Sequence, residues 1–467
     1  MEKFFKLKER KTTVRIELIA GITTFMAMAY ILMVNAGMFG DLGDGYYNAV
    51  YIATAISAVV GTVLIGVLAN LPLAQASGMG LNAFFVYTVC FGLGFSYANA
   101  LVLVLFDGLL FIGLTVTGLR KTIFEAIPKP VKAAISAGIG LFIAFLGMQN
   151  AGIVVNSDST LVDLHSFNIV FGNATWAELM PVIVTILAVL LIAILYKRKV
   201  KGAVLWGILG GAVMYYVLGL VTITGFYDSN VAGNLSLNIL QPFKDFFNLS
   251  FGKVFTEGFN FSAYIDANGL GSFIAAIATT ILAFCMVDMF DTLGTLYGAC
   301  SVGGLVDKQG NIPNMNKAML ADSIATCTGA ICGTSTVTTF VESSAGVAEG
   351  GRTGLSSMFT AALFFIAMFL APVAAMIPSC ATAAALIYVG ILMVVGVKDI
   401  DWVDPCSAVP AFLTMVMMPF TYNISYGIAF GLLSYIIIHL FTGKVKEIKL
   451  GTWIIGLLFT IMFFVSR

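Results

Sequence analysis

Five acidic residues stand inside stretches that are otherwise apolar: Asp107, Asp288, Asp291, Asp322 and Glu342. A carboxylate in such surroundings persists by holding a proton, by meeting a cation, or by accepting hydrogen bonds from a ligand. No Lys or Arg lies deep in the same stretches, so internal ion pairing does not account for the five acids. Asp288 and Asp291 belong to Ala-Phe-Cys-Met-Val-Asp-Met-Phe-Asp-Thr-Leu-Gly-Thr-Leu-Tyr (283–297). Three residues apart, they fall on one side of a helix, and Thr292 and Thr295 continue that polar face. Two carboxylates placed in this way cannot both ionise cheaply, which makes them candidates for carrying a proton. Helix packing through hydroxyls explains the threonines and leaves the aspartates unexplained. Glu342 lies in Gly-Thr-Ser-Thr-Val-Thr-Thr-Phe-Val-Glu-Ser-Ser-Ala-Gly-Val-Ala-Glu-Gly-Gly-Arg-Thr-Gly (333–354). That stretch holds too many Gly, Ser and β-branched residues for an unbroken helix. At membrane depth an unwound backbone is tolerated only where it is buried in protein or lines a cavity. An exposed loop is the competing reading, and the hydrophobic flanks of Glu342 speak against it. Asp107 and Asp322 fit a purely structural role as well as a coupling role.

The elements that hold these residues follow from composition. Of 467 residues 59% are hydrophobic and 10% charged, and the mean hydropathy is +0.98. A soluble domain needs roughly 25% charged residues to cover its surface, so the chain reads as a polytopic membrane protein. Lys+Arg and Asp+Glu are both 24, which leaves no basic excess to hold nucleic acid. The cysteines lack Cys-x-x-Cys spacing, and His165 and His439 stand alone, so neither a disulfide frame nor a metal site is expected. Cutting the chain into runs of about 20 apolar residues gives fourteen spans. They are 16–39, 47–70, 73–94, 97–119, 131–150, 178–196, 202–224, 272–301, 314–332, 333–348, 355–377, 380–397, 407–421 and 424–442. A further apolar stretch at 450–466 is either another span or an interfacial helix. The first span is too long for a signal peptide, and no small-residue cleavage site follows it. Lys and Arg collect at 3–15, after every even-numbered span exit such as 120–132, 197–201 and 444–449, and at Lys308, Lys317 and Arg352. The loops 151–177 and 225–270 are poor in them. By the positive-inside rule the N-terminus is cytoplasmic.

The chain also repeats itself. Ala-Ile-Pro-Lys-Pro-Val-Lys-Ala-Ala-Ile (126–135), leading to Gly140, resembles Met-Ile-Pro-Ser-Cys-Ala-Thr-Ala-Ala-Ala (376–385), leading to Gly390. Each copy stands at the junction between the fourth and fifth spans of a seven-span half. An odd number of spans forces the two halves to cross in opposite senses, the arrangement of many secondary transporters. Chance similarity of Ala/Gly-rich helix starts is the alternative. The segment matching 333–348 in the first half is Ala-Gln-Ala-Ser-Gly-Met-Gly-Leu-Asn-Ala-Phe-Phe (74–85), again interrupted by glycines. Interrupted segments at matching positions point to a binding site. The predicted organisation is a cytoplasmic segment 1–15, a first repeat 16–224, an extracytoplasmic loop 225–271, a second repeat 272–442 and a tail 443–467.

Four motifs in order carry a family resemblance: Ala-Gly-Ile-Thr-Thr-Phe-Met-Ala-Met-Ala-Tyr-Ile-Leu-Met-Val-Asn (20–35), Gly-Met-Gly-Leu-Asn-Ala-Phe-Phe (78–85), Asp-Thr-Leu-Gly-Thr-Leu (291–296) and Glu-Ser-Ser-Ala-Gly-Val-Ala-Glu-Gly-Gly-Arg-Thr-Gly-Leu (342–355). Between about residue 12 and residue 442 the chain resembles the AzgA-like purine permeases of the nucleobase–cation symporter and xanthine/uracil permease superfamily. The resemblance implies an all-α fold of fourteen transmembrane segments in two inverted seven-span repeats. It also implies a core domain (spans 1–4 and 8–11), a gate domain (5–7 and 12–14) and short strands in spans 3 and 10. By motif position Asp291 takes the place of a substrate-binding glutamate in span 8, Glu342 matches the span-10 carboxylate, and Asn82 falls in the span-3 motif. The shorter aspartate departs from uracil-type relatives and suits a two-ring base or a bridging water. Further substrate contacts are expected from Thr24, Gly80, Phe84, Thr292, Ser343 and Phe340, with Phe85 another ring that could cover a base.

These expectations combine into an inner-membrane importer of adenine, guanine or hypoxanthine, driven by proton symport with Na+ as the other coupling ion. No cofactor, metal or nucleic acid is expected; the partners are the base, the ion, the lipid bilayer and, from resemblance alone, a second copy. Asp288 is the expected proton carrier and Asp291 the substrate ligand, with the reverse assignment open and Asp322 or Asp107 able to share the role. The rivals are an anion exchanger of the same fold, a uracil or xanthine permease, and a membrane enzyme, for which no nucleophile–base pair is present.

Overall fold

The structure is a computed structural model and describes residues 2–118, 126–169, 172, 174–227, 238–306 and 312–465. Arg120, Lys121 and Lys308, which enter the charge argument, lie outside these residues. Helices dominate because an apolar segment in lipid must satisfy its own backbone N–H and C=O groups. In chain order they are α1 (Val14–Met28), α2 (Tyr30–Gly40), α3 (Tyr46–Leu64), α4 (Met79–Ala83), α5 (Tyr97–Thr117), α6 (Lys129–Asn150), α7 (Trp176–Lys197), α8 (Ala203–Thr222), α9 (Ser262–Val302), α10 (Met315–Cys332), α11 (Ser343–Ala348), α12 (Gly354–Ala367), α13 (Ser379–Met393), α14 (Pro405–Thr421), α15 (Ile424–Phe441) and α16 (Leu450–Val465). Among the described residues, ten helical runs are long and apolar enough to cross a membrane. The other expected spans fall short for local reasons. The third and tenth are interrupted, α14 has 17 residues, and α10 carries Lys317, Asp322 and a series of hydroxyls. Within α9, Gly269 takes φ 82° and breaks the helix just before the apolar run expected at 272–301.

Among the described residues four strands accompany the helices: β1 (Gln75–Ser77), β2 (Val154–Ser157), β3 (Leu161–Leu164) and β4 (Val337–Thr339). β1 and β4 pair antiparallel, Gln75 opposite Thr339 and Ser77 opposite Val337. Gly78 N–H donates to Thr336 O (3.0 Å) and Phe340 N–H to Ala74 O (3.1 Å), which lengthens the ladder at both ends. These are the strands expected in spans 3 and 10, and the pairing satisfies the backbone that the broken helices leave open. β2 and β3 form an exposed hairpin in the 151–177 loop, which the sequence reading did not anticipate. Its signal is Ser-Asp-Ser-Thr (157–160), a turn cluster between two short Val/Leu runs.

Two groups of helices emerge. α1–α5 and α9–α12 pack around the β1–β4 ribbon, while α6–α8 and α13–α15 pack on one another. The repeated motifs meet at the centre of the second group. A Cβ added to Gly140 would stand 2.7 Å from the Gly390 carbonyl oxygen, and one added to Gly390 would overlap the Gly140 carbonyl. The equivalent helices α6 and α13 therefore cross backbone to backbone, as helices related by a local two-fold do where small residues allow close approach. Between the groups, Thr88 donates to Tyr422 O (2.7 Å), Lys201 pairs with Glu349 (2.9 Å), and Gly80 abuts Ile139. Finally, α16 runs back along α15. Thr452, near its start, bonds Ala126 O, and Phe463 meets Tyr426 and Phe430, ring centroids 5.5 and 5.4 Å apart.

Candidate substrate and ion site

The β1–β4 ribbon brings the two interrupted segments together, and α9 supplies the third wall. The Thr338 hydroxyl, on β4, donates to Asp291 Oδ2 (3.2 Å). Three residues beyond the strand, Glu342 Oε1 accepts from the Tyr30 hydroxyl (2.6 Å). Tyr30 opens α2 where the first span is broken at Ala29, so three discontinuities meet at one place. Asp291 and Glu342 are partly exposed, as are Thr295, Ser344 and Ala345, while Gly294 and Gly298 are open. Among the described residues neither carboxylate has a cationic partner. A carboxylate offers about four acceptor positions, so Tyr30 and Thr338 orient these two groups without saturating them. A planar ligand that presents N–H donors along its edge matches this arrangement.

Behind this accessible layer lies a buried one. Asp322 is fully buried, and its oxygens accept from Gln75 Nε2 (2.9 Å) and the Thr292 hydroxyl (2.9 Å). Gln75 Nε2 also reaches Thr339 Oγ1 (3.2 Å). Asp288, also fully buried, accepts from Thr326 Oγ1 (3.3 Å), which itself receives the Val337 N–H. Asp288 and Asp291 thus face different partners, α10 and β4. Helix geometry explains this: three residues turn about 300°, which leaves them about 60° apart. The carboxylate that shares the surroundings of Asp291 is Glu342.

The remaining expected contacts divide. Gly80 is partly exposed, and a Cβ there would overlap Ile139 on α6. Asn82 is buried and supports the strand end: its Oδ1 accepts from Ser77 (2.6 Å), which shares a hydrogen bond with Thr334 (2.9 Å), itself bonded by Asn35 (2.9 Å). Ser343 accepts the Ala74 N–H (3.0 Å). Thr24 is buried against Gly346, and Thr292 is turned to Asp322. Phe84 packs edge-on to Phe284, centroids 4.9 Å apart, and Phe340 is 6% exposed. Thr295 donates back to Asp291 O within its own helix (2.9 Å). Sequence reasoning missed Tyr30, Thr338, Gln75 and Glu17. The first three lie inside the quoted motifs or beside them, and a Tyr hydroxyl in an apolar helix calls for a partner. Buried Glu17 accepts from Arg352 N–H (2.9 Å) and from both Ser356 N–H (3.1 Å) and Oγ (2.7 Å), tying α1 to the start of α12.

Comparison with known proteins bears on this arrangement. A model of the xanthine/uracil permease group, described as the Permease family, matches residues 15–430. The chain belongs to this permease family. The permease is 36% identical over 464 residues to adenine permease AdeP of Escherichia coli K12, covering 98% of this chain and 95% of that one. It is 40% identical over 472 residues to guanine/hypoxanthine permease PbuG of Bacillus subtilis 168, covering 99% of each. Its fold is that of the transmembrane domain of the cyanobacterial bicarbonate transporter BicA, with TM-score 0.61 at 15% identity over 88% of this chain and 97% of that one. The murine anion transporter Slc26a9 in its inward-facing state superimposes with TM-score 0.62 at 12% identity, over 91% and 68%. The permease is a multi-pass membrane transporter with the inverted-repeat core-and-gate fold, not an enzyme.

Proposed function

We propose that the permease imports purine nucleobases by proton symport and alternating access, with Asp291 and Glu342 accepting N–H groups of the base. The observation that carries this reading is the pair of partly exposed carboxylates, held by Thr338 and Tyr30 where three broken segments converge. Relatives named for adenine and for guanine/hypoxanthine support a purine. The α6–α8 and α13–α15 group, with Ile139 against Gly80, acts as the gate past which the substrate-bearing group moves. Na+ is the alternative coupling ion, and the fourteen spans lie in the plasma membrane with a cytoplasmic N-terminus. The anion-exchange reading draws on fold likeness alone. Two acids without a cationic partner among the described residues oppose it, because a carboxylate repels an anion.

Competition for labelled hypoxanthine on the purified permease tests the proposal. Adenine, guanine or hypoxanthine should displace the label, while uracil, bicarbonate and sulfate should not. Displacement by uracil as strong as by the purines would move the assignment to the uracil/xanthine class.

A further inference from the structure

Asp107 is unlike the other buried acids. It is fully buried in α5, and among the described residues neither of its carboxylate oxygens has a hydrogen-bond partner. α5 meets α10 at the next residue: a Cβ on Gly108 would stand 2.6 Å from Cys327 Sγ and 3.3 Å from Ser323 O. That crossing sets Asp107 beside Asp322, within electrostatic reach. The two carboxylates are provisioned in opposite ways. Asp322 accepts from Gln75, from Thr292 and, at 3.5 Å, from Thr339, and such donors hold a carboxylate as an anion. Asp107 faces that anion with no donor of its own.

Among the described residues the other neighbours of Asp107 offer no counter-charge. From α10 come Asp322 and Cys327, and Asp288 of α9 acts on the same Cys327. At the other end of α5, Gly258, just past the short helix Lys253–Thr256, abuts Ala98 and Val102, and the nearby charges Lys253 and Glu257 pair with each other. Cys90, on the helix that continues α4, lies by Tyr97.

We infer that Asp107 is the residue that carries the coupled proton, with Asp322 relaying its charge state to the substrate strands. This rests on the symport reading above. A proton arriving from the outer side binds one Asp107 oxygen and turns the carboxylate into a neutral acid; on the inner side the same O–H bond breaks and the proton leaves with the base. With Asp107 neutral, Asp322 meets no opposing charge from α5 and keeps Gln75 and Thr292. With Asp107 ionised, two anions oppose one another there, and Asp322 must shift. Its two donors are the levers. Thr292 follows Asp291 in the chain, and Gln75 stands opposite Thr339, the residue after Thr338. A shift of Asp322 therefore disturbs the Asp291–Thr338 contact from both sides.

The test uses the full permease in proteoliposomes, with wild type, Asp107→Asn and Asp107→Glu. Wild type should accumulate labelled purine under an imposed pH gradient. Asp107→Asn, neutral and of the same size, should still exchange internal for external purine, should bind it with a flat pH profile, and should not accumulate it. Asp107→Glu should recover part of the accumulation, because it restores a proton-bearing group. A structural role predicts the opposite ranking, with Asn working normally and Glu impaired, and that result overturns the inference. So does normal, pH-dependent accumulation by Asp107→Asn while wild type behaves as a symporter. If wild type itself ignores the pH gradient, the symport reading falls and the assignment of Asp107 falls with it. If Asp107→Asn does not fold, Asp107→Glu decides: no accumulation by a folded, exchanging Glu variant also overturns the inference.

Discussion

Two of the acids, Asp291 and Glu342, are accessible, and a buried set lies behind them. The hydroxyl of Tyr30 is what aims Glu342. Tyr30→Phe removes that donor and keeps the ring, so purine affinity should fall about 10- to 100-fold, in line with the roughly 1.5–3 kcal/mol of a hydrogen bond to a charged group. Isothermal titration of the purified variant measures this, and an unchanged affinity would detach Tyr30 from the site. Glu342→Ala should weaken binding further while the protein still reaches the membrane; wild-type affinity in that variant would remove Glu342 from recognition. Sequence alone picked out all five acids, because an acid in an apolar run is conspicuous. It assigned their roles by motif and helix spacing, with Asp288 and Asp291 interchangeable, because a firmer assignment depends on which donor each one meets. Thr338, Thr326 and Gln75 are ordinary polar residues until β1 and β4 bring them against the carboxylates. Asn82 and Ser343 show the converse: they stand in telling motifs, yet their polar atoms hold the strand ends together.

At the level of elements the interrupted segments were legible from glycine content and matching positions, and the strands within them from the family resemblance. The glycines now have specific neighbours. Gly333 takes φ 95°, and a Cβ there would collide with Ser250 and stand 2.5 Å from the Tyr97 hydroxyl. A Cβ on Gly80 would strike Ile139 across the boundary between the helix groups, whereas nothing lies within 4 Å of one on Gly113. Gly113→Val should therefore transport normally. Gly80→Val should keep its fold and lose transport, because overpacking acts at the moving boundary, and Gly333→Val should lose stability as well. Initial uptake rates beside thermal unfolding of the detergent-solubilised variants separate the two effects. Equal rates at positions 80 and 113 would show that this boundary does not limit movement. The hairpin at 154–164 escaped the sequence reading because a short exposed strand pair in a polar loop carries only a weak turn signal.

At the scale of the whole molecule, an inverted repeat inferred from one short match becomes a physical contact, with the matched glycines Gly140 and Gly390 touching where α6 and α13 cross. Gly390→Leu should force these helices apart and lower thermal stability, by about 1–3 kcal/mol for an overpacked contact, without changing the residues that bind the base. A variant as stable as wild type would mean that the crossing is looser than the contact implies. Hydropathy marked the long helices, since lipid demands an apolar run with its backbone satisfied, but of the fourteen spans expected only ten are long and apolar enough among the described residues, and the two-group division came from the family resemblance. The depth of each broken segment could not be read, because short strands and six-residue helices carry no hydropathy signal of their own. The central claim is that this fold moves a purine, not an anion, on the Asp291–Glu342 pair. Uptake of labelled adenine and hypoxanthine into proteoliposomes, with bicarbonate in a parallel arm, tests it most directly. Purine uptake should be saturable and lost in Glu342→Ala, with no bicarbonate exchange. Bicarbonate exchange without purine uptake would contradict it.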